Sequence, residues 1–273
     1  MTHRTRYAIW FQCVLGRMAA ILTVPLIICT LKLAGYRIRG LGEFRRNVRH
    51  MMKEHDGPWL ICANHLTLID SFILAYAMMP MHRYIFQYKK VPWNVPEHAN
   101  FNTSFLVGLL CYLVKCIPIK RGGDRESVKC SIGKCLHMLQ KGQNLMIFPE
   151  GTRSRSGRVS HDNCTYHVGR LLHKVPQARV MCIYMRGDGQ YTYSRFPRFG
   201  ETFTISARQF RPETELKGLR GQRDFARQII DQLLEMENGY FDTRRQRRGR
   251  PQSAWGKRQK QRPAVYPQSA NTR

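Results

Sequence analysis

Two short stretches, roughly eighty residues apart, hold the side chains best suited to chemistry: Asn64-His65-Leu66-Thr67-Leu68-Ile69-Asp70 and Phe148-Pro149-Glu150-Gly151-Thr152-Arg153-Ser154. Each follows a short apolar run. The first offers a base and a carboxylate to orient it. The second offers a Glu, a backbone-permissive Gly, a hydroxyl and an Arg within four residues. Together they imply proton abstraction beside an anion-binding pocket, a combination suited to acyl transfer onto the hydroxyl of a phosphate-bearing acceptor.

A hydroxyl that attacks a thioester must lose its proton as the new bond forms. Histidine suits that task because its ordinary pKa is ~6.5. Asp70 lies five positions after His65. On one straight helix that separation puts the two side chains about 140° apart. The pair therefore works only if His65 sits in a turn before a helix and Asp70 in that helix's early turns. Asp70 then accepts from one imidazole nitrogen, fixes the tautomer and supports the imidazolium, as the orienting acid of a hydrolase triad does. Asn64 would hold the turn. The bland alternative is a capped turn residue followed by an unrelated helical Asp. In the second stretch, Pro149 ends a strand and Gly151 lets the backbone approach a ligand closely. Arg153 offers a fork of donors to phosphate, and Thr152 and Ser154 add hydroxyls. Glu150 either accepts from an acceptor hydroxyl or holds Arg153; the alternative is a surface turn with a local Glu–Arg pair.

The elements that must position these groups read as strands alternating with helices. Trp59 to Ala63 is a buried strand after the Gly57-Pro58 break. The helix after Asp70 carries Phe72, Ile73, Ala75, Tyr76 and Met79 as an apolar face of 3.6 period. Tyr36 to Gly40 predicts a short strand and turn, and Arg45 to His55 a short helix. Arg83 to Lys90 predicts a strand and residues 91–96 a loop. Phe105 to Val114 is an apolar helix, and Ile117-Pro118-Ile119 a short strand or turn. A further helix carries Val128, Ile132, Cys135, Leu136 and Leu139. Leu145 to Phe148, Val180 to Met185 and Thr202 to Ser206 are strands, and Gln222 to Met236 is an amphipathic closing helix. This order predicts an α/β fold, a mostly parallel central sheet flanked by helices, with an N-terminal membrane-associating helical segment. Three regions follow: residues 1–35 as membrane-anchoring helices, 36–240 as the catalytic domain, and 241–273 as a basic disordered tail.

Tyr7 to Leu33 is the most apolar segment. Its clean part, Met18 to Leu31, is shorter than the ~20 residues needed to cross a bilayer, and Pro25 would kink it. A bent helical pair dipping into one leaflet, with basic flanks on anionic head groups, fits this pattern. A core helix or true span, or a signal peptide, are the alternatives.

The chain has 273 residues and a net charge of +27. Charge of this size speaks of partners rather than fold: nucleic acid, an acidic membrane face, or acidic proteins and cofactors. The stretch from Thr243 to Arg273 holds ten Lys and Arg and no acid, and taking those ten away still leaves +17. The nine Cys form no C-x-x-C pair and no zinc-like group with His, so they read as free thiols in a reducing compartment, and no metal is expected.

The two stretches, in this order, resemble the glycerolipid acyltransferase family that includes the 1-acylglycerol-3-phosphate acyltransferases. Its first motif, N-H-x-x-x-x-D, stands at Asn64, His65 and Asp70. Its third, F-P-E-G-T-R-S, runs intact from Phe148 to Ser154. The second motif resembles Ile117-Pro118-Ile119-Lys120-Arg121. The resemblance covers roughly residues 36 to 210. It implies that His65 is the base and Asp70 its partner. It further implies that Arg121, Glu150, Gly151, Thr152 and Arg153 bind the glycerol phosphate. The donor would be acyl-CoA or acyl-acyl carrier protein, as a co-substrate and with no other cofactor, and no acyl-enzyme forms. Lysophosphatidic acid is the default acceptor, with other lysolipids or a lyso-aminolipid behind it. There are departures from the family pattern. Lys115 stands where a Gly often precedes the second motif, Tyr166-His167-Val168-Gly169 replaces Phe-Lys-x-Gly, and the Pro of the fourth motif is absent near Val180 to Met185.

The implied protein is a monotopic or singly anchored membrane enzyme on the cytoplasmic face. Its partners would be a lysophospholipid, an acyl thioester, an anionic membrane surface and an acidic acyl carrier protein. Tyr84, Phe86, Tyr88 and the Phe105 to Val114 helix either line an acyl channel or belong to the core. Lys89 and Lys90 either meet CoA phosphates or carrier-protein acids, or form a solvated face. Two competing functions remain. A thioesterase would use the same His–Asp pair on water. A nucleic-acid binder would use the charge alone, but no sequence-specific nucleic-acid motif is present.

Overall fold

The structure is a computed structural model that describes residues 2–101, 104–120, 123–161 and 164–249. Contacts divide the chain into a unit Met1–Glu237 and a unit Asn238–Arg273. Among the described residues the first unit is built on a six-stranded sheet. Its strands are β1 (Arg37–Ile38), β2 (Trp59–Ala63), β3 (Trp93–Asn94), β4 (Leu145–Ile147), β5 (Arg179–Gly187) and β6 (Thr202–Phe210), in the order β1-β6-β5-β2-β4-β3. Only the β5/β6 pair is antiparallel. The others, β1/β6, β2/β4, β2/β5 and β3/β4, are parallel. The mostly parallel α/β architecture expected from the sequence is the one present.

The centre of the sheet explains its sequence. Every residue of β2 and β4 is buried. Strands covered on both faces need unbroken apolar runs rather than alternation, and Trp-Leu-Ile-Cys-Ala and Leu-Met-Ile supply them. The helices are α1 (His3–Leu33), α2 (Leu41–Glu54), α3 (Asp70–Met78), α4 (Met81–Phe86), α5 (His98–Phe101), α6 (Phe105–Leu113), α7 (Arg125–Gln140), α8 (His167–Lys174) and α9 (Gly218–Gly249). One face of the sheet is covered by α2 and α3, whose Phe44, Val48, Ile73, Leu74 and Ala77 join Ile61, Ile183 and Phe203 in a single cluster.

Three local expectations are corrected. Residues 83–90 are not a strand but α4 followed by a 3-10 turn, Tyr88–Lys90. The alternation Tyr84, Phe86, Tyr88 mimics a strand, yet Tyr84 and Tyr88 are buried while Phe86 is 79% exposed. A strand would put all three on one face, whereas helical spacing brings 84 and 88 together and turns 86 away, and Pro80 sits at the N-cap to start the helix. The expected loop at 91–96 contains the edge strand β3, where flanking prolines cost the sheet nothing. The tail expected to begin at 241 is helical as far as Gly249; the expected disorder from residue 250 onward lies outside the described residues.

The N-terminal segment is one helix, α1, rather than a bent pair, and it runs through Pro25. At ~1.5 Å per residue its 31 residues reach about 46 Å, long enough to cross a ~30 Å hydrocarbon core. The most apolar window has a mean hydropathy of 2.1 and is only 22% buried. Ile9, Gln12, Gly16, Ala20 and Leu31 form its buried stripe. Tyr7, Trp10, Phe11, Met18, Ile21, Leu22, Leu26 and Leu33 remain exposed.

Candidate active site

Parallel strands bring the two stretches together. In the β2/β4 ladder Cys62 is opposite Ile147. His65 and Glu150 each lie three residues beyond that pair, at the carboxyl ends of neighbouring strands, where open α/β sheets place their ligands. The loop after β2 and the loop after β4 are then tied to each other. The His65 backbone N–H donates to Glu150 Oε1 at 2.9 Å, and the Ser154 N–H donates to the His65 carbonyl at 2.9 Å. On the other side, Asn64 extends the sheet with its side chain. Its amide donates to the Met185 carbonyl at 3.0 Å and its oxygen accepts from Met185 N–H at 2.8 Å.

His65 stands in the turn and Asp70 at the first position of α3, the only arrangement in which five-residue spacing lets them meet. Asp70 is fully buried. Its Oδ2 lies 3.0 Å from His65 Nδ1 and accepts from Leu66 N–H at 2.6 Å and Thr67 N–H at 2.8 Å. Its Oδ1 accepts from the Thr67 hydroxyl. With Nδ1 held by Asp70, Nε2 is the ring nitrogen left for a substrate. The imidazole is stacked on the Phe148 ring, centroids 4.1 Å apart and planes 19° apart, which fixes its tilt. The site therefore joins an oriented imidazole to the loop that carries Glu150 to Ser154.

Glu150 is buried, and burial raises its carboxyl from 4.5 to about 8; the His65 N–H opposes this, and the charges of Glu237 and Asp70 add to it. It does not pair with Arg153. Gly151 has φ +71°, a conformation that favours glycine, and its N–H closes the turn onto the Phe148 carbonyl. Thr152 is exposed. Arg153 is half-buried, donates to the Ser194 carbonyl at 3.3 Å and lies over the Tyr193 ring at 5.7 Å. Arg121, assigned to acceptor phosphate by resemblance, lies outside the described residues. Lys90 faces Asp56 at 3.6 Å and Lys89 is exposed.

Three features escaped the sequence. The loop before β6 flanks the site: Ser194 N–H donates to the Leu66 carbonyl and Leu68 N–H to the Arg195 carbonyl. Thr67 buttresses Asp70. Glu237 of α9, almost wholly buried, accepts from Arg158 Nε at 2.9 Å and Tyr184 Oη at 3.1 Å and lies 3.5 Å from buried Arg186. It thereby holds the chain that follows Ser154. An acid on the apolar face of a closing helix was the available signal for it.

Next to the site, beginning at Ser71 and Phe72, an apolar cavity of about 90 Å³ runs between α1 and α3. Gly16, Ala20, Val24 and Ile27 of α1 form one wall, and Tyr84 and Tyr88 another. Phe86 is not part of it. Lys115 also lines it. This residue has φ +60°, which explains why glycine suits the position. Its ammonium donates to the carbonyls of Tyr88 (3.0 Å) and Val91 (2.8 Å) and to Gln143 Oε1 (3.0 Å), while burial lowers its pKa to about 8.

A family model described as Acyltransferase matches residues 40–173. Two relatives are the chloroplastic 1-acyl-sn-glycerol-3-phosphate acyltransferases of Brassica napus and Arabidopsis thaliana. Each is 29% identical over 105 residues, which is 38% of this chain and 26% of the relative. The matched part thus spans about a quarter of the length of those curated relatives. The match encloses both motifs and the β2 and β4 loops that carry them, and residues 40–173 are an acyltransferase domain of the glycerolipid acyltransferase family.

Proposed function

We propose that this chain moves a fatty acyl group from a thioester, acyl-CoA or acyl-acyl carrier protein, to the free hydroxyl of a lysophospholipid. The acceptor we assign is 1-acylglycerol-3-phosphate, giving phosphatidic acid. The observation that carries this reading is the His65–Asp70 pair, with Nε2 free, beside the Glu150–Ser154 loop and an apolar cavity.

In the reaction, His65 Nε2 takes the acceptor hydroxyl proton as that oxygen bonds to the thioester carbonyl carbon. The C–S bond then breaks, and the proton passes from the imidazolium to the departing sulfur. Products are the acylated lipid and the free thiol, with no acyl-enzyme and no cofactor beyond the thioester. Asp70 holds the Nδ1 proton and supports the imidazolium through its charge. Arg153, with Arg121, Thr152 and the backbone around Gly151, would meet the acceptor phosphate.

The membrane reading is monotopic. The buried stripe of α1, from Ile9 to Leu31, lies against the body along most of the helix, against α6, α4 and α3. A helix held along its side in this way presents its opposite, apolar face to one leaflet. The basic body then faces the anionic head groups of the cytoplasmic leaflet.

The test is purified chain with acyl thioester, with and without lysophosphatidate, other lysolipids and a lyso-aminolipid, with products identified by mass. Acylated lipid formed only with acceptor, and lost in His65→Ala, is the expected result. Thiol release that ignores the acceptor would make the chain a thioesterase, and full transfer by folded His65→Ala would remove the base.

A further inference from the structure

The loop before β6 carries an unusual surface. Within residues 191–199, Tyr-Thr-Tyr-Ser-Arg-Phe-Pro-Arg-Phe, four aromatic side chains stand in solvent: Tyr191, Tyr193, Phe196 and Phe199, the last 89% exposed. Arg195 and Arg198 are exposed between them. The backbone beneath is pinned. Ser194 N–H donates to the Leu66 carbonyl, Leu68 N–H to the Arg195 carbonyl, and Tyr36 Oη to the Pro197 carbonyl at 3.1 Å. Gly200 N–H donates to the Ala34 carbonyl at 2.8 Å, at the end of α1. Pro197 is buried. A flexible loop would fold such rings back onto the body, whereas this one is held so that they point outward.

Two observations say what covers them. The Gly200–Ala34 bond joins the residue after Phe199 to the residue after Leu33, itself 82% exposed, so the patch lies where the exposed apolar face of α1 ends. The patch is also cationic. Arg195 and Arg198 lie within it and exposed Lys32 and Arg37 flank it, while the nearby acid Asp188 is already paired with Arg39. Aromatic rings interleaved with arginine match the boundary between acyl chains and anionic head groups.

We propose that residues 191–199 form a membrane-docking loop that inserts its aromatic rings among anionic lipids and so sets the His65 site at the bilayer surface. This rests on the proposed reading that the acceptor is a membrane lipid. The loop is two backbone hydrogen bonds from His65's own loop. Docking therefore fixes the height of the imidazole above the lipid, and an acceptor need only rise from the leaflet to reach Nε2.

Two experiments on the full chain test it. In vesicles containing anionic lipid and acyl-chain-brominated phosphatidylcholine, Phe199→Trp should show fluorescence quenching beyond that of the parent protein. Quenching equal to the parent's overturns the proposal whether or not the chain transfers acyl groups. In the second, Phe196→Ser/Phe199→Ser should lose at least tenfold in rate with lysophosphatidate in anionic vesicles. It should stay within twofold of the parent with a short-chain lysophosphatidate kept below its micelle concentration. Equal rates on both acceptors, equal losses on both, or a loss confined to acyl carrier protein as donor would each reject the lipid surface as partner. A parent that transfers to neither acceptor refutes the proposed function and leaves the quenching result to decide the docking.

Discussion

Replacing Asp70 by Asn separates the charge of this site from its shape. The carboxylate accepts through Oδ2 from His65 Nδ1, Leu66 N–H and Thr67 N–H. An amide oxygen at the same point can accept from all three, and the amide nitrogen then faces the Thr67 hydroxyl, which can turn to accept. Orientation survives and the negative charge goes. When the imidazole takes a proton, the lost partner stood 3.0 Å away. At an effective dielectric constant of about 20, that pair is worth about 5 kcal/mol, or roughly four powers of ten in rate. The imidazole is 13% exposed, so water screens part of the charge, and the amide dipole returns part of it. We expect kcat to fall between about 10²- and 10⁴-fold. Initial rates of acylated-lipid formation give the number. The thermal midpoint, expected to fall by no more than roughly 10 °C, shows that the fold is kept. A folded Asp70→Asn protein within tenfold of the parent would mean that the imidazole works without that charge, and the assigned role of Asp70 would be wrong.

Glu150, with its carboxyl raised to about 8, is largely neutral at pH 7 and accepts one hydrogen bond from His65 N–H. Glu150→Gln should therefore stay within about threefold of the parent rate at pH 7, whereas Glu150→Ala orphans that N–H at a cost of about 1–3 kcal/mol. The pH dependence has a definite sign. Above 4.5 the unfolded carboxyl ionises while the folded one does not, so its contribution to stability is intact below 4.5 and is lost as pH rises towards about 8. The thermal midpoint of the parent should fall over that window by an amount missing from Glu150→Gln, and parallel profiles would contradict the raised value. On α9, Glu237→Ala removes the acid between Arg158 and buried Arg186 and should cost about 3–5 kcal/mol, a fall of roughly 6–20 °C in thermal midpoint. Two residues earlier, Glu235 makes a surface pair with Arg208, and Glu235→Ala should change stability by no more than about 1 kcal/mol. Equal shifts in the two variants would deny the buried network its weight.

The strands that carry the site were legible because they are buried on both faces. Trp59 to Ala63 and Leu145 to Ile147 are apolar without interruption, and each is followed by the residues of interest. What could not be read was anything set by register. The hydrogen bond from His65 N–H to Glu150 depends on Cys62 facing Ile147, a pairing of segments 85 positions apart that no local pattern specifies. Nor could the sequence show that residues 194 and 195 complete the hydrogen bonds of residues 66 and 68. The strand expected at residues 83–90 failed because a period of two in Tyr84, Phe86 and Tyr88 also contains the helical spacing of four. Pro80 was the overlooked signal. Lys115 looked like a departure from the Gly that often precedes the second motif. Its positive φ shows instead a glycine-type backbone position filled by a lysine whose ammonium ties residues 88 and 91 to Gln143. It lines the cavity and belongs to neither of the loops that bear His65 and Arg153.

The way the His65 loop is held has a consequence for rate. Asn64 is fixed by Met185 of β5, His65 by Glu150 and Ser154, Leu66 by Ser194, Leu68 by Arg195, and the imidazole by Asp70 on one edge and Phe148 on its face. These partners come from four separate segments, so the backbone that carries the ring is held from several sides. If His65 is the base proposed above, much of its ordering cost is met during folding, before any substrate arrives. Asp70 sits where backbone donors converge on a carboxylate. Glu150 sits where burial, opposed by a single donor, favours the neutral acid, which positions the loop by accepting from His65 N–H.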